Sequence, residues 1–389
     1  TPSYELSLGL VGSEICIRDR TRMFETKAAV LYEANKPLQI ETLSQEEPRH
    51  GEVRVRTSVA GICASDHHYM VGDNKMPMPV VLGHEGAGYV DSVGPGVQNF
   101  KPGDRVITAF ISGCGNCTYC LSGFVNLCTT STALNTKQYD GTLRLKKDGN
   151  SIHQMQKLGL FSEYLICPQQ SLYLLPDEVP MDVAALIGCC VTTGIGAVLN
   201  QQASKPGIDI VVFGLGGVGL SAIMGAKILN SNNIIAVDIK DHKLEFAMKF
   251  GATHTINSLK SDPVKEIMSI TRNGVDMAFD TFGRGSVTNQ AIESTKRKGT
   301  TVIVGLAPIG DTVNADMIGL CRDQKTLIGS FYGSISPHES FKQIIKHYLK
   351  GEIDIRALVE RTYKLDQINE AFEDLEKGLD GRGIIIYPN

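Results

Sequence analysis

The sequence predicts an α/β protein in which a β-rich part is followed by a doubly wound parallel sheet. Three observations carry that expectation. The first half holds short β-branched runs broken by Gly and Pro, such as Val53–Cys63, Pro79–Gly94 and Pro102–Phe110. Runs of that kind read as strands and turns. From about Val191, apolar strands alternate with amphipathic helices through Ile208–Leu229, Asn232–Ala252, Val275–Gly283 and Thr300–Pro308. Alternation at this spacing implies parallel strands joined by crossover helices. The third observation is a glycine-rich turn, FGLGGVG (Phe213–Gly219), between the first such strand and its helix.

The regular pattern begins near Lys27, and residues 1–22 read as an extension. The opening TPSYELSLGLVGSE lacks a basic leading region, so it is not read as a secretory signal. Later elements are a polar stretch at Thr129–Asn150, expected to be a surface excursion, a helix near Ser340–Glu352 and a final strand within Gly381–Asn389. The 389 residues supply core for more than one domain. A net charge of −4 without a long basic run gives no electrostatic reason to expect nucleic acid or an anionic membrane as partner. The longest uncharged run, Val183–Leu199, is interrupted by glycines and shorter than a typical membrane span, so it reads as a buried turn and helix. Ten cysteines without a secretory leader point to a reducing, cytoplasmic compartment. Clustered cysteines there more often bind metal or do chemistry than form bridges.

Within the turn, Gly214, Gly216 and Gly219 form G-x-G-x-x-G around Gly217 and Val218. Its place after a strand and before a helix gives the pattern meaning. Gly214 permits the tight turn, Gly216 lets the backbone approach a pyrophosphate, and Gly219 lets helix and sheet pack closely. Asp238 ends the next strand, where a carboxylate accepts ribose hydroxyls and repels a 2′-phosphate, favouring NAD over NADP. Lys243, further along, is a second candidate for the ribose.

CGNCTYCLSGFVNLC places Cys114, Cys117, Cys120 and Cys128 at C-x2-C-x2-C-x7-C spacing. A structural zinc, an iron–sulfur cluster and disulfides are the readings to weigh. The compartment disfavours disulfides. A ferredoxin-type cluster usually wants a shorter last spacing or a distant fourth cysteine, often with Pro after it, whereas Thr129 follows here. Three other Gly-flanked segments, GICASDHHY, GHEGAG and LIGCCVTTGIG, offer Cys63, His84, and Cys189 or Cys190. Two thiolates and one imidazole leave a tetrahedral zinc one open position, the make-up of a catalytic site.

With GHEGAG, the four-cysteine lobe, GCxxTTG and GLGGVG in that order, the chain from Lys27 onward resembles the zinc-dependent medium-chain alcohol dehydrogenases. The excursion after Cys128 is similar to the long-loop branch, which holds animal-type and formaldehyde-oxidising members. The resemblance implies a GroES-like catalytic domain over 23–190 with a structural zinc lobe at 112–129. It implies a Rossmann dinucleotide domain over 191–330, and a return to the catalytic domain over 331–389. It also implies two zinc ions per subunit, a catalytic one on Cys63, His84 and Cys189 and a structural one on Cys114, Cys117, Cys120 and Cys128. Cys189 is preferred because it occupies the family's cysteine in GCxxTTG.

By the same resemblance, Asp66 orients His84, Ser65 passes the alcohol proton toward the cofactor ribose, and His68 stands at the outer end of that relay. His67 is then a solvated neighbour, and Glu85 is an electrostatic acid behind the metal. Thr193 and Val218 line the nicotinamide, Arg382 binds pyrophosphate, and Phe110 walls the substrate pocket. Further walls are expected from loops such as Ser151–Gly159. Ala64 departs from the family, where Arg or His commonly grips the pyrophosphate. The implied activity is hydride transfer between a primary or secondary alcohol and NAD, giving aldehyde or ketone. Alternatives within the class are an S-(hydroxymethyl)thiol (formaldehyde) dehydrogenase and a nicotinoprotein with tightly held NAD. The expected partners are a small alcohol or aldehyde and a second copy in a homodimer, with a tetramer as the other possibility. A non-catalytic binding protein would have no need of so complete a ligand set and relay.

Overall fold

The computed structural model describes residues 23–131 and 135–388; the extension at 1–22, with Cys16, lies outside them. The β-rich part is organised around the strand Glu52–Gly61. Nearly all of its residues are buried, as expected of a strand covered on both faces. One edge pairs antiparallel with Gly86–Val93. The other edge is shared, with Tyr164–Pro168 along its first half and Arg382–Ile386 along its last residues. A small closed barrel of Phe24–Leu31, Gln39–Gln45, Leu145–Lys147, Asn150–Gln154 and Val80–Val81 sits beside this sheet.

The second sheet is parallel throughout and runs from His254–Asn257 through Ile234–Asp238, Ile210–Phe213, Val275–Asp280 and Thr295–Ile303 to Thr326–Gly329. The chain starts at the central strand Ile210–Phe213, builds outward to one side, and then crosses to the other. Such a reversal opens a crevice at the carboxyl ends of the strands. Thr326–Gly329 is the far edge, where Leu327 is exposed; Ile309, Met317 and Ile318 are exposed in the segments between the last two strands.

The helical run Met181–Leu199 links the two sheets. It is long and apolar enough to cross a membrane, yet it is largely buried in the interior. Its middle, Ile187–Val191, widens into a π-type turn, and Thr192 Oγ1 donates to Ile187 O at 2.6 Å. Single wide turns of this kind recur where a helix must re-aim a functional side chain. After the parallel sheet, the helix Pro337–Leu349 packs its buried face, Phe341, Ile344 and Ile345, toward Thr192–Leu199. Val359–Tyr363 and Arg382–Ile386 then rejoin the first sheet.

One expectation is corrected. Thr129–Asn150 is not a surface excursion throughout. Leu145–Lys147 is a barrel strand, and Arg144 is completely buried. Arg144 Nε and Nη2 donate to Glu52 Oε2 and Oε1 at 2.8 and 2.6 Å, and Nη2 also donates to Asp140 at 2.7 Å. Gln138 is buried too, donating to Ile166 O at 2.9 Å. A polar segment goes inside when its charges and amides find partners there.

Candidate active site

Cys63, His84 and Cys189 come from three separate elements. Cys63 ends the link between strand Glu52–Gly61 and helix Ala64–Met70. His84 sits in the short gap between strands Val80–Val81 and Gly86–Val93, and Cys189 lies in the π-type turn. Together with Glu85, their ligand atoms all lie within 4.8 Å of one another, and all four residues are buried. His84 Nε2 is 3.3 Å from Cys189 Sγ. Cys190, the other candidate, points elsewhere, with its thiol 3.7 Å from Leu186 O.

The surrounding charges are arranged for a cation. Asp66 Oδ1 accepts from Gly83 N at 2.9 Å and lies 3.1 Å from His84 Nδ1, which leaves Nε2 as the ligating nitrogen. The Cys63 thiol is held well below its ordinary range, first by a hydrogen bond from Cys189 and then by His84 and Arg382. Cys189 is pushed correspondingly up. Burial raises the Glu85 carboxyl to about 7 although Arg382 pulls the other way. Asp66 Oδ2 and Glu85 Oε1 are buried without a hydrogen-bond partner among the described residues. Two thiols, an imidazole and two incompletely satisfied carboxyls in one buried cluster fit a bound zinc ion, whose charge would offset theirs.

The second cluster fits a metal equally well. The Sγ atoms of Cys114, Cys117, Cys120 and Cys128 also lie within 4.8 Å of one another, and none is in a disulfide. Main-chain N–H groups of Cys114 and Cys117 donate to Cys128 Sγ and Cys114 Sγ at 3.2 and 3.3 Å. Backbone donors from Cys120 and Thr129 draw the Cys117 thiol down to about 6, toward the thiolate a metal requires. Four sulfurs fill a tetrahedral shell, so this lobe has no position for substrate.

The glycine turn faces the same crevice. A Cβ on Gly219 would fall 1.9 Å from Gly214 O, so only glycine lets the helix Gly217–Ile228 start this close to the strand. A Cβ on Gly216 would meet open space, the cradle expected where a pyrophosphate approaches. Asp238 is half-buried. Its Oδ2 accepts from Leu215 N at 2.9 Å, and its Oδ1 accepts from Ile239 N and Lys240 N at 2.8 and 3.1 Å. The carboxylate is thereby locked beside the turn. Lys243 is half-buried on the next helix, with Nζ close to Gly378. Arg382 donates to Ile62 O and Glu85 Oε2 at 2.7 and 2.9 Å, and its guanidinium abuts Gly217. It thus ties the carboxylate behind the cysteines to the nucleotide turn.

A partly open cavity of about 170 Å³ joins these parts. Of the residues singled out in the sequence, Cys63, Ser65, His68, His84, Phe110, Cys189, Thr193 and Val218 line it, as does Ala64. Ser65 and His68 are three apart on helix Ala64–Met70 and share a face. His68 Nδ1 bonds Asp73 at 2.9 Å. His67 is turned away, pairing with Glu376 at 2.7 Å. Met155 and Gln156, from the stretch Ser151–Gly159 expected to supply walls, also line the cavity, as do Phe282, Phe331 and Tyr332, which no sequence signal named. Tyr332 stacks on Phe110 at 3.9 Å between ring centroids and donates to Gly188 O at 2.6 Å. No motif marks Phe331 or Tyr332, because they reach the site from a remote segment.

The alcohol dehydrogenase GroES-like domain matches residues 49–177, and the zinc-binding dehydrogenase domain matches residues 217–350. Alcohol dehydrogenase B of Mycobacterium tuberculosis is 35% identical, the match covering 93% of this chain and 98% of that protein. S-(hydroxymethyl)glutathione dehydrogenase of Haemophilus influenzae is 37% identical over 95% of this chain and 100% of its own. The crystal structure of benzyl alcohol dehydrogenase from Acinetobacter calcoaceticus superposes with a TM-score of 0.89 at 31% identity, covering 94% of this chain and 100% of that one. With both halves matched and relatives aligned over nearly their full lengths, the chain belongs to the zinc-dependent alcohol dehydrogenase family, GroES-like half and parallel-sheet half together.

Proposed function

We propose that this enzyme transfers a hydride between a small alcohol and NAD at the cavity shared by Cys63, His84 and Cys189 with the nucleotide turn. The observation that carries this reading is the shared wall: Cys63 and His84 of the β-rich half, Cys189 and Thr193 of the linking helix, and Val218 of the nucleotide turn border one cavity. Zinc held by Cys63, His84 and Cys189 would supply a Lewis acid for the alcohol oxygen, and NAD would supply the hydride acceptor. Asp66 fixes the His84 tautomer and ring. Ser65 is placed to accept the alcohol proton at Oγ, and His68 to receive it at Nε2, since Asp73 occupies Nδ1. Glu85 and Arg382 balance charge behind the cysteines, while Arg382, Asp238 and Lys243 hold the nucleotide. Ala64 offers the pyrophosphate no grip, so Arg382 carries that contact. Phe110 and its aromatic neighbours keep water from the reacting carbon.

The four-cysteine lobe would hold a second, architectural zinc, making two per subunit. The apolar edge at Ile309, Met317, Ile318 and Leu327 supports a homodimer, since an uncovered apolar strand edge invites a second copy. A thiol-adduct substrate is the second reading, favoured by the Haemophilus influenzae relative. The purified chain, loaded with zinc, is expected to reduce NAD with an alcohol panel and to sediment at twice its monomer mass. No NADH formation with any alcohol or hydroxymethyl-thiol would refute the reading, and sedimentation as a monomer would refute the dimer.

A further inference from the structure

Gln156 stands out on the cavity wall. It is only 7% exposed, its Oε1 has no partner, and its side chain makes no hydrogen bond among the described residues. The neighbouring buried glutamines also have an unpartnered Oε1, but each is held through its Nε2: Gln154 donates to Leu158 O at 2.8 Å, and Gln138 donates to Ile166 O at 2.9 Å. A buried amide left unpaired is costly, and natural interiors rarely keep one without a reason.

The backbone beneath it is strained in the same place. Gln156 has φ 52° and ψ 34°, and Lys157 has φ 64°, two consecutive left-handed residues of which neither is glycine. Both flanks hold that conformation. Lys157 Nζ is anchored on Thr130 O at 3.0 Å, and Leu158 O accepts from Gln154. Strain of this kind persists where the surroundings over-determine it, and it gathers at functional sites. Several other polar groups on the wall are already engaged: His68 Nδ1 with Asp73, Tyr332 Oη with Gly188 O, and Thr281 Oγ1 with Gly214 O at 2.7 Å. Met155, Phe110 and Phe331 supply apolar parts of the same wall.

We infer that Gln156 is a specificity-determining residue whose side-chain amide hydrogen-bonds a polar substituent of the alcohol. The substrate class is then an alcohol carrying a second hydroxyl, ether or carbonyl oxygen away from the reacting carbon. The inference rests on the dehydrogenase reading above and narrows it. A site built to hydrogen-bond one substrate group discriminates against analogues that lack it far more strongly than an apolar wall discriminates by size.

The test compares 1-alkanols with α,ω-diols of equal chain length as substrates of the zinc-loaded enzyme with NAD. Wild type is set against Gln156→Met, which preserves volume, and Gln156→Asn, which keeps an amide one methylene shorter and suits left-handed backbone. In wild type, one diol length is expected to stand out against its alkanol. In Gln156→Met, that diol-to-alkanol ratio in kcat/KM should fall about tenfold or more, with alkanol turnover held or raised. The thermal midpoint of this variant should rise by roughly 2–4 °C as the unpaired amide is lost. Gln156→Asn should move the preference to a diol one carbon longer. An unchanged ratio in both variants, or equal losses on both substrate series, overturns the inference while leaving the dehydrogenase reading intact. Absence of turnover on every alcohol overturns both.

Discussion

Cys63→Ser abolishes alcohol turnover and leaves NAD binding in place. A serine hydroxyl keeps its proton under conditions where a metal-bound cysteine has lost it, so one of three protein ligands disappears. His84 and Cys189 remain but cannot close the site. Loss of the Lewis acid removes several kcal/mol of stabilisation from the reacting oxygen, equivalent to about a thousandfold or more in rate. The glycine turn, Asp238 and Arg382 belong to other elements and are undisturbed, so the dissociation constant for NAD stays within a few-fold of wild type. The four-cysteine lobe would keep its own ion. Zinc per chain should therefore fall by half while the fold, followed by circular dichroism, is retained. Full activity in the serine variant would contradict the assignment. Loss of NAD binding together with activity would point to a folding defect.

The second large effect is on stability. Glu52→Ala strips the buried Arg144 of its bidentate partner and leaves Asp140 as its remaining carboxylate. Removing one member of a buried pair costs about 3–5 kcal/mol when the other charge is left unpaired, an upper bound here because Asp140 stays on Arg144. The same network carries a pH signature. Burial opposes the charge on Asp140, yet hydrogen bonds from Thr142 and Arg144 hold its carboxyl well below the usual range. A carboxyl depressed in the folded state contributes fully above its unfolded pKa of about 3.9, and that contribution drains away as the pH falls below it. The denaturation midpoint of wild type should therefore slope downward in mild acid below that value, and Glu52→Ala should lower the midpoint across the whole range. A variant that melts with wild type would show that the pair is incidental.

The parts of this molecule that were legible in its sequence are those whose chemistry fixes short spacings. Four thiols around one ion, or a phosphate turn between strand and helix, dictate residue types within fifteen positions or fewer, and Cys114–Cys128 and Gly214–Gly219 carry that imprint. His84 was visible because the strand that should continue through GHEGAG is punctuated by glycines. Residues that meet across long stretches left no such mark. Arg144 and Glu52 are 92 positions apart, and Tyr332 and Gly188 are 144 apart. The spacing of Cys189 and Cys190 alone left both open as candidates. The structure turns Cys189 toward His84 and Cys190 toward Leu186 O, because adjacent helical residues point in different directions and the π-type turn fixes which one faces the site. The stretch after Cys128 misled for a physical reason: polarity predicts exposure only for groups that find no partner inside.

Whether Cys63, His84 and Cys189 together hold a metal ion against the nucleotide crevice is decided by anomalous scattering from crystals of the native enzyme, collected on either side of the zinc absorption edge. Two peaks are expected per chain, one bounded by Cys63 Sγ, His84 Nε2 and Cys189 Sγ and the other inside the four-cysteine lobe. A fully active enzyme with no peak at the first position would contradict that arrangement.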